Sequence, residues 1–209
     1  FVILDLFDHY TMYNHDLWPD HPLNPNNNLQ ATYGLPLGST AFPAFYDLER
    51  YPDLAQFQKI YVQDIARSLK TNAMVIFSTG NEMRDGDHEI RRKWHKQIAK
   101  WIKAANPSAL VTENDSNKQG DVHALPEIDL VSVHACGDIQ CNGSEGWSGN
   151  PNWQYYSKFN KPVLLDNDGL WVCRDYMQNG VPVNALAWWR LVRDCGCGYY
   201  GAKGPFPSD

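Results

Sequence analysis

The sequence predicts an α/β fold in which parallel strands alternate with helices and close into a barrel-like ring. Short apolar runs recur along the chain and are separated by stretches of helical periodicity, an order that implies parallel strands joined by right-handed crossovers. The strands read as apolar runs instead of alternations, as expected for strands buried on both faces. Strand after strand ends in Asp, Glu, His or Asn, and polar ends spread over all the strands favour a ring over an open sheet.

The first strand is predicted at residues 2–6, an apolar run that Asp8, His9 and Tyr10 follow directly. Residues 10–48 then pass without clear periodicity. Because long loops in compact domains usually act as lids or binding loops, this segment is predicted to border the functional site.

The most informative stretch follows the second predicted strand. Apolar residues at helical spacing predict a helix over residues 54–69, and the apolar run 74–77 predicts the strand. This strand leads into Asn81 and Glu82, and a second amphipathic helix is predicted from about residue 87 to 105. An amide and a carboxylate therefore stand at the C-terminal end of a strand, where α/β barrels keep their catalytic groups.

Four further strands are predicted in the second half of the chain. The third strand of the chain ends at Glu113, the fourth at His134, and the fifth at Asp166, Asn167 and Asp168. The apolar runs are 110–112, 130–133, 161–165 and 198–201, with helices predicted at 153–159 and 183–194.

The composition is that of one globular domain. A chain of 209 residues with 43% hydrophobic and 20% charged residues can build one substantial core, and no segment looks like a linker, so residues 1–209 are expected to form a single domain. The net charge is −6 and the basic residues lie mostly beside acids, so no nucleic-acid partner is expected. No apolar run approaches the ~18 residues that span a bilayer, so no membrane partner is expected either.

Five cysteines fall in the last third of the chain: Cys136, Cys141, Cys173, Cys195 and Cys197. The first two are close enough in sequence to bridge, and Cys173 can pair with either of the last two, leaving one thiol free. This pattern predicts disulfides and an extracellular or periplasmic location. The spacing matches none of the usual zinc patterns, and neither a metal nor a cofactor is expected.

The order of these segments resembles that of clan A of the glycoside hydrolases. The resemblance covers most of the chain and rests on residues 2–6 with His9, Gly80-Asn81-Glu82, Val131-Ser132-Val133-His134, and residues 161–166 with Gly169. Members of that clan are (β/α)8 TIM barrels that cleave glycosidic bonds with retention. The resemblance implies a carbohydrate substrate, Glu82 as general acid/base, and Asn81 as the group that holds the sugar hydroxyl next to the reacting carbon.

Two features depart from the family pattern. The six predicted strands correspond to the third to eighth strands of the family barrel, so the chain is expected to form an incomplete barrel, truncated at its N-terminus, with exposed edges that a homo-oligomer would cover. The family's seventh strand carries a nucleophilic Glu, and in Leu165-Asp166-Asn167-Asp168-Gly169 that position is Asn167. An amide cannot replace a carboxylate in a covalent glycosyl-enzyme.

Three residues are therefore candidates for the second catalytic carboxylate. Asp166 and Asp168 flank Asn167, and Glu113 stands at the end of the third strand. The two carboxyl groups of a glycosidase lie ~5 to 5.5 Å apart when it retains configuration, and ~6.5 to 9.5 Å apart when a water must fit for inversion. Since Asp is one methylene shorter than Glu, an Asp partner favours the wider spacing. The alternative role of Asp166 and Asp168 is that of turn residues before the next segment.

Aromatic rings stack on pyranose faces, and imidazoles hydrogen-bond sugar hydroxyls. The side chains predicted to contact substrate, besides Asn81, Asn167 and Glu113, are His9, Tyr10, His134, Trp171 and Tyr199. His134 is the strongest of these, because it stands directly at a strand end.

The leading hypothesis is a secreted glycosidase that acts on a β-linked glycan. Two alternatives stay open. Asn167 in the nucleophile's place motivates a glycan-binding protein that does not cleave its ligand. A metal-dependent hydrolase would instead use His9, His134 and the aspartates.

Overall fold

The computed structural model describes residues 2–13, 17–24, 26–27, 41–81, 83, 86–114, 122–134 and 158–166. The chain divides into two compact units. The first unit comprises Phe1–Asn114 and Asp121–Asp129, and the second comprises Asp115–Gly120 and Leu130–Asp209.

The first unit contains a parallel sheet of three strands, in the order β1-β2-β3. The strands are β1 (Val2–Asp5), β2 (Val75–Asn81) and β3 (Leu110–Asn114). Val2 pairs with Val75, and Ile76 pairs with Leu110. All three strands were predicted from apolar runs, and β2 continues past its predicted end as far as Asn81, so the amide is itself a strand residue.

Two long helices pack against this sheet: α3 (Pro52–Ser68) and α4 (His88–Ala105). Pro52 occupies the first turn of α3, where a missing N–H costs nothing. The Asp87 side chain caps α4 by accepting from the Ile90 backbone N–H at 3.0 Å. Both helices lie where the periodicity predicts them. Among the residues that the structure describes, no helix has the length and apolar character needed to cross a membrane.

The core of the first unit lies between the sheet and these helices. Phe77 and Val111 enter it from the sheet, and the fully buried Trp94 enters it from α4. The Trp94 indole N–H donates to Gln58 Oε1 at 2.7 Å, and Gln58 Nε2 donates to the Phe45 carbonyl at 3.0 Å. These bonds satisfy the buried polar atoms of the Trp94 and Gln58 side chains and join α3 to α4 inside the core.

Short helices occur inside the segment that showed no periodicity in the sequence. They are α1 (His9–Tyr13), a single 3-10 turn at Trp18–Asp20, and α2 (Ala41–Tyr46). Helices of one or two turns are too short to display a repeating apolar pattern, which is why the sequence did not reveal them.

The second unit contains two parallel strands, β4 (Val131–His134) and β5 (Val163–Asp166). Both were predicted from apolar runs. They pair along their whole length, from Val131 opposite Val163 to His134 opposite Asp166. The five cysteines, the predicted helix 183–194 and the predicted strand 198–201 lie outside the described residues, as does most of the predicted helix 153–159.

Candidate active site

The end of β2 carries an irregularity at the position of the predicted site. Ser78 pairs with Thr112 and Asn81 pairs with Asn114, so β2 advances by three residues while β3 advances by two. The extra residue on β2 makes this a β-bulge, which bends a strand and changes the direction of the side chains that follow. Bulges of this kind are frequent next to active sites.

Two hydrogen bonds to residues that follow β1 hold Asn81 in place. Its backbone N–H donates to the Phe7 carbonyl at 2.7 Å, and its side-chain Nδ2 donates to Asp8 Oδ1 at 3.1 Å. A carboxylate can only accept hydrogen bonds, so the Asn81 amide must turn its nitrogen, and not its oxygen, towards Asp8. The amide at the strand end is therefore held in one orientation.

Gly80 allows the chain to fold closely over itself at this point. A Cβ atom at residue 80 would lie 2.7 Å from Met83 Cγ, 2.9 Å from Met83 Sδ and 3.2 Å from the Phe7 carbonyl oxygen. Met83 is fully buried in the core. The missing side chain of Gly80 thus makes room for Met83, three residues further on.

Buried polar side chains lie behind the strand end, on the helix side of the sheet. Thr79 Oγ1 lies 2.7 Å from His95 Nδ1, and both residues are fully buried. Arg91 on α4, Glu113 on β3 and His123 all act electrostatically on His95. We call these five residues the buried polar cluster.

The His95 side chain is neutral at ordinary pH. Burial lowers its pKa to about 4, Arg91 and His123 lower it as well, and Glu113 opposes them. A neutral imidazole needs no counter-ion, and its Nδ1 atom takes part in the bond to Thr79.

Glu113 belongs to this cluster and is fully buried. Its carboxyl group is in contact with Nδ1 of His123, which is also buried. The segment that carries His123 is held in place by Asp129, whose backbone N–H donates to the Val111 carbonyl at 2.8 Å and whose Oδ2 accepts from the Val111 N–H at 2.7 Å. The structure thus gives Glu113 an imidazole partner inside the first unit.

His9 is likewise buried inside the first unit. Its Nδ1 lies 3.0 Å from the Tyr46 hydroxyl, and the two rings are stacked with an interplanar angle of 17°. This pair joins α1 to α2. His9 is fully buried in this arrangement, so its described contact is with Tyr46.

The second unit brings two other predicted site residues together. His134 ends β4, Asp166 ends β5, and their Cα atoms are direct partners in the parallel ladder. The carboxyl ends of adjacent parallel strands lie about 4.8 Å apart, so these two residues share one end of the strand pair. The sequence predicted both of them from their positions at strand ends.

A comparison with the models of known protein families identifies the family of this chain. The family model described as Cellulase (glycosyl hydrolase family 5) matches residues 2–199. The chain belongs to glycosyl hydrolase family 5. No curated protein sequence matches the chain.

Membership of family 5 confirms the resemblance to clan A and identifies the chain as a glycosidase. It also implies a TIM-barrel fold, and the parallel pairing of β1 to β3 and of β4 to β5 agrees with that fold. A carbohydrate substrate fits this family, as the sequence predicted.

Five predicted site residues of the family 5 chain belong to segments that the structure does not describe. Glu82, Asn167, Asp168, Trp171 and Tyr199 lie outside the described residues. Tyr10 lies on α1, but its side chain also falls outside the description. Among the residues that are described, no group of three or more His, Cys, Asp or Glu side chains is placed to hold a metal ion.

Sequence reasoning missed the residues that support the strand end. Asp8, Thr79, Arg91, His95 and His123 were not singled out as site residues. One signal was available: Arg91 and His95 stand four residues apart on the α4 face that also carries Ile98 and Ile102, where apolar residues are expected. Buried polar residues on an apolar stripe need partners, and here the partners belong to the strand ends.

Proposed function

We propose that this family 5 chain hydrolyses a β-linked glycan with Glu82 as the general acid/base. The observation that carries the proposal is the anchored amide beside this residue, because Asn81 is fixed to Phe7 and Asp8 at the end of a strand. The family itself is described as a cellulase family, and cellulose is a β-linked glucan. A soluble fragment of that glucan is therefore the substrate to test first.

Glu82 would act on the glycosidic oxygen. In its protonated form it donates a proton to this oxygen as the bond to the anomeric carbon breaks, so the leaving group departs as a neutral alcohol. If the partner carboxylate attacks the anomeric carbon, Glu82 then takes a proton from the water that hydrolyses the glycosyl-enzyme; if the partner activates the water instead, Glu82 acts only as the acid. General acid/base help of this kind is worth about 10²- to 10⁴-fold in rate.

Asn81 would hold the substrate. Its amide, turned by the bond to Asp8, offers a polar contact for the sugar hydroxyl next to the anomeric carbon. Hydrogen bonds to this hydroxyl strengthen as the ring becomes oxocarbenium-like, so a fixed amide stabilises the transition state more than the bound substrate.

The second carboxylate is proposed to be Asp166, with Asp168 as the competing candidate. Asp166 ends β5 in register with His134, which is itself a proposed substrate contact. The family's nucleophile position falls on Asn167, whose amide cannot form the covalent intermediate. An Asp partner would either attack the anomeric carbon directly or activate a water, and the distance to Glu82 decides between the two.

The remaining predicted contacts divide into two groups. Tyr10, His134, Asn167, Trp171 and Tyr199 are proposed to contact the glycan. For His9 and Glu113 we propose a supporting role, since each is fully buried and in contact with another buried side chain.

The wider architecture follows as a further part of the proposal. We propose that β1 to β5 correspond to the third to seventh strands of the family barrel, that residues 198–201 supply the eighth, and that residues 1–209 belong to one barrel domain. The family match, which runs through both units, supports a single domain. We also propose a secreted, disulfide-containing homo-oligomer. The cysteine pattern favours secretion and disulfides, and the position of β1 at the edge of the sheet that the structure describes favours an oligomer.

The test is the Glu82→Gln variant, with Glu89→Gln as the matched control, because Glu89 is an exposed acid in the first turn of α4. On a cello-oligosaccharide we expect Glu82→Gln to lower kcat by at least about 10²-fold, while Glu89→Gln leaves it unchanged. Equal rates for Glu82→Gln and the parent would refute the assignment. Glycan binding without turnover by the parent protein would instead favour the binding protein that Asn167 motivates.

A further inference from the structure

We propose that Thr79 and His95 are positioning residues that fix the strand end carrying Asn81 and Glu82. This inference rests on the function proposed above and extends it into the interior of the first unit. Neither residue is proposed to touch the substrate, since both are fully buried.

The contact between them joins the helix layer to the sheet at the point where β2 leaves its regular register. Thr79 stands two residues before Asn81, inside the stretch where the pairing of β2 with β3 shifts. Its hydroxyl lies 2.7 Å from His95 Nδ1 on α4. At a bulge, some of the regular hydrogen bonds between the paired strands are missing. A side-chain bond to a rigid 18-residue helix therefore supplies a restraint that the ladder does not provide here.

Charged and aromatic side chains surround the His95 ring. Glu113 reaches it electrostatically from β3, Arg91 from the preceding turn of α4, and His123 from the segment tied to β3 through Asp129. The Trp94 and His95 rings also pack edge to face, with centroids 4.9 Å apart. The bond to Thr79 and the packing against Trp94 thus restrain the ring, which can serve as an anchor for the strand end.

The protonation state of His95 is consistent with this role. Burial lowers its pKa to about 4, so the ring stays neutral at weakly acidic and neutral pH. The contact with Thr79 is therefore not disrupted by protonation of the imidazole near neutral pH.

A shift of Thr79 would displace the proposed catalytic residues that follow it and would lower the reaction rate. Asn81 follows two residues later and Glu82 three residues later, with only Gly80 between Thr79 and Asn81. A general acid displaced by about 1 Å can cost about 10²-fold in rate. Asn81 is also held by Phe7 and Asp8, so loss of the Thr79 bond is expected to displace Glu82 more than Asn81, and to impair proton donation more than substrate binding.

The experiment compares Thr79→Val, which removes the hydroxyl at constant shape, with Thr79→Ser, which keeps it. Each is assayed on two substrates: an unactivated cello-oligosaccharide, whose leaving group needs a proton, and an activated dinitrophenyl cellobioside, whose leaving group does not. For Thr79→Val we expect kcat/KM to fall about 10- to 100-fold on the unactivated substrate and less than about threefold on the activated one. Thr79→Ser should retain most of the parent activity on both.

A variant of a buried polar residue on α3 provides the control for general destabilisation. Gln58→Met breaks the bonds to Trp94 and Phe45, and it is expected to lower the melting temperature without any dependence on leaving group. If Thr79→Val shows equal losses on both substrates, or none, the positioning role is wrong. Glu82→Gln separates the two proposals: no loss on the unactivated substrate overturns the proposed function, whereas a loss there with an unaffected Thr79→Val overturns only this inference.

Discussion

The Asn81 side chain donates to the Asp8 carboxylate at 3.1 Å, although the two residues stand 73 positions apart in the sequence. A parallel backbone bridge between the same two residues reinforces this contact. The ends of β1 and β2 are thereby joined through both main chain and side chain. The residue next to the proposed acid/base is thus oriented by a residue that follows the neighbouring strand β1.

Removal of the Asp8 carboxylate should impair catalysis through Asn81. We expect Asp8→Ala to lower kcat/KM on a cello-oligosaccharide by about tenfold, because a charge-assisted bond of about 1.5 to 3 kcal/mol no longer orients the amide. Asp8→Asn keeps an acceptor oxygen in place and should retain more activity. Asp20→Asn, at an exposed acid in the 3-10 turn, is the matched control. Parent-like kinetics of Asp8→Ala would show that the contact does not orient Asn81.

Gly80→Ala should strain the strand end sterically. The new methyl group would lie 2.7 Å from Met83 Cγ and 3.2 Å from the Phe7 carbonyl oxygen. We expect a loss of about 1 to 3 kcal/mol in the free energy of unfolding, as for other overpacked sites, together with reduced activity. Urea unfolding measures the first effect and steady-state kinetics the second.

The same prediction has an internal control in the Met83 side chain. Met83→Ala alone should destabilise the protein by about 2 to 5 kcal/mol, because it empties a buried site. If the clash is real, the Gly80→Ala and Met83→Ala double variant should be more stable than the sum of the two single effects predicts. Strict additivity would mean that the methyl group is accommodated elsewhere.

His95 should make the stability of the protein depend on pH. Its pKa falls from 6.5 to about 4 on folding, mainly through burial. Below pH 6.5 the unfolded chain binds a proton at His95 that the folded protein does not bind, so stability falls as the pH falls towards 4. The contribution, roughly 3 kcal/mol at most, is fully present above pH 6.5.

The measurement is the free energy of unfolding in urea at several pH values between neutral and pH 4, for the parent and for His95→Asn. The variant keeps a polar group near Thr79 but cannot titrate in this range. We expect its stability to fall less steeply than that of the parent as the pH is lowered. Identical slopes for the two proteins would contradict the burial-driven shift at His95.

The elements that the sequence predicted are those whose pattern is local. The strands β1 to β5 appear as apolar runs because both faces of such strands are buried. The helices α3 and α4 appear as amphipathic repeats because one face of each helix is buried. The position of Asn81 at a strand end followed from the same local pattern. The short helices α1 and α2 carry too few residues for any period to emerge.

The contacts that the sequence did not predict join residues far apart in the chain. Thr79 meets His95 sixteen positions away on another element, and His9 meets Tyr46 thirty-seven positions away. Whether a given His faces a cleft or a core depends on which elements pack together, and periodicity within one element carries no information on that. His9 is an example: its place after a strand predicts substrate contact, and the structure adds a buried contact with Tyr46 that the sequence did not reveal.

The choice between Asp166 and Asp168 as the second carboxylate can be made by substitution and product analysis. We expect Asp166→Asn to lower kcat by at least about 10²-fold, because it removes the group that attacks the anomeric carbon or activates water. Asp168→Asn, two residues later, should retain most of the activity. The anomeric configuration of the first product formed by the parent, read by proton NMR, then separates retention from inversion.

Inversion would fit a short aspartate with room for a water, and retention would require direct attack by Asp166. Added azide should restore turnover of an activated glycoside by Asp166→Asn, since the small anion can occupy the space of the missing carboxylate. Loss of activity in Asp168→Asn with a parent-like Asp166→Asn would reverse the assignment. Parent-like activity in both variants would remove this segment from the catalytic mechanism and leave Glu82 without a partner on β5.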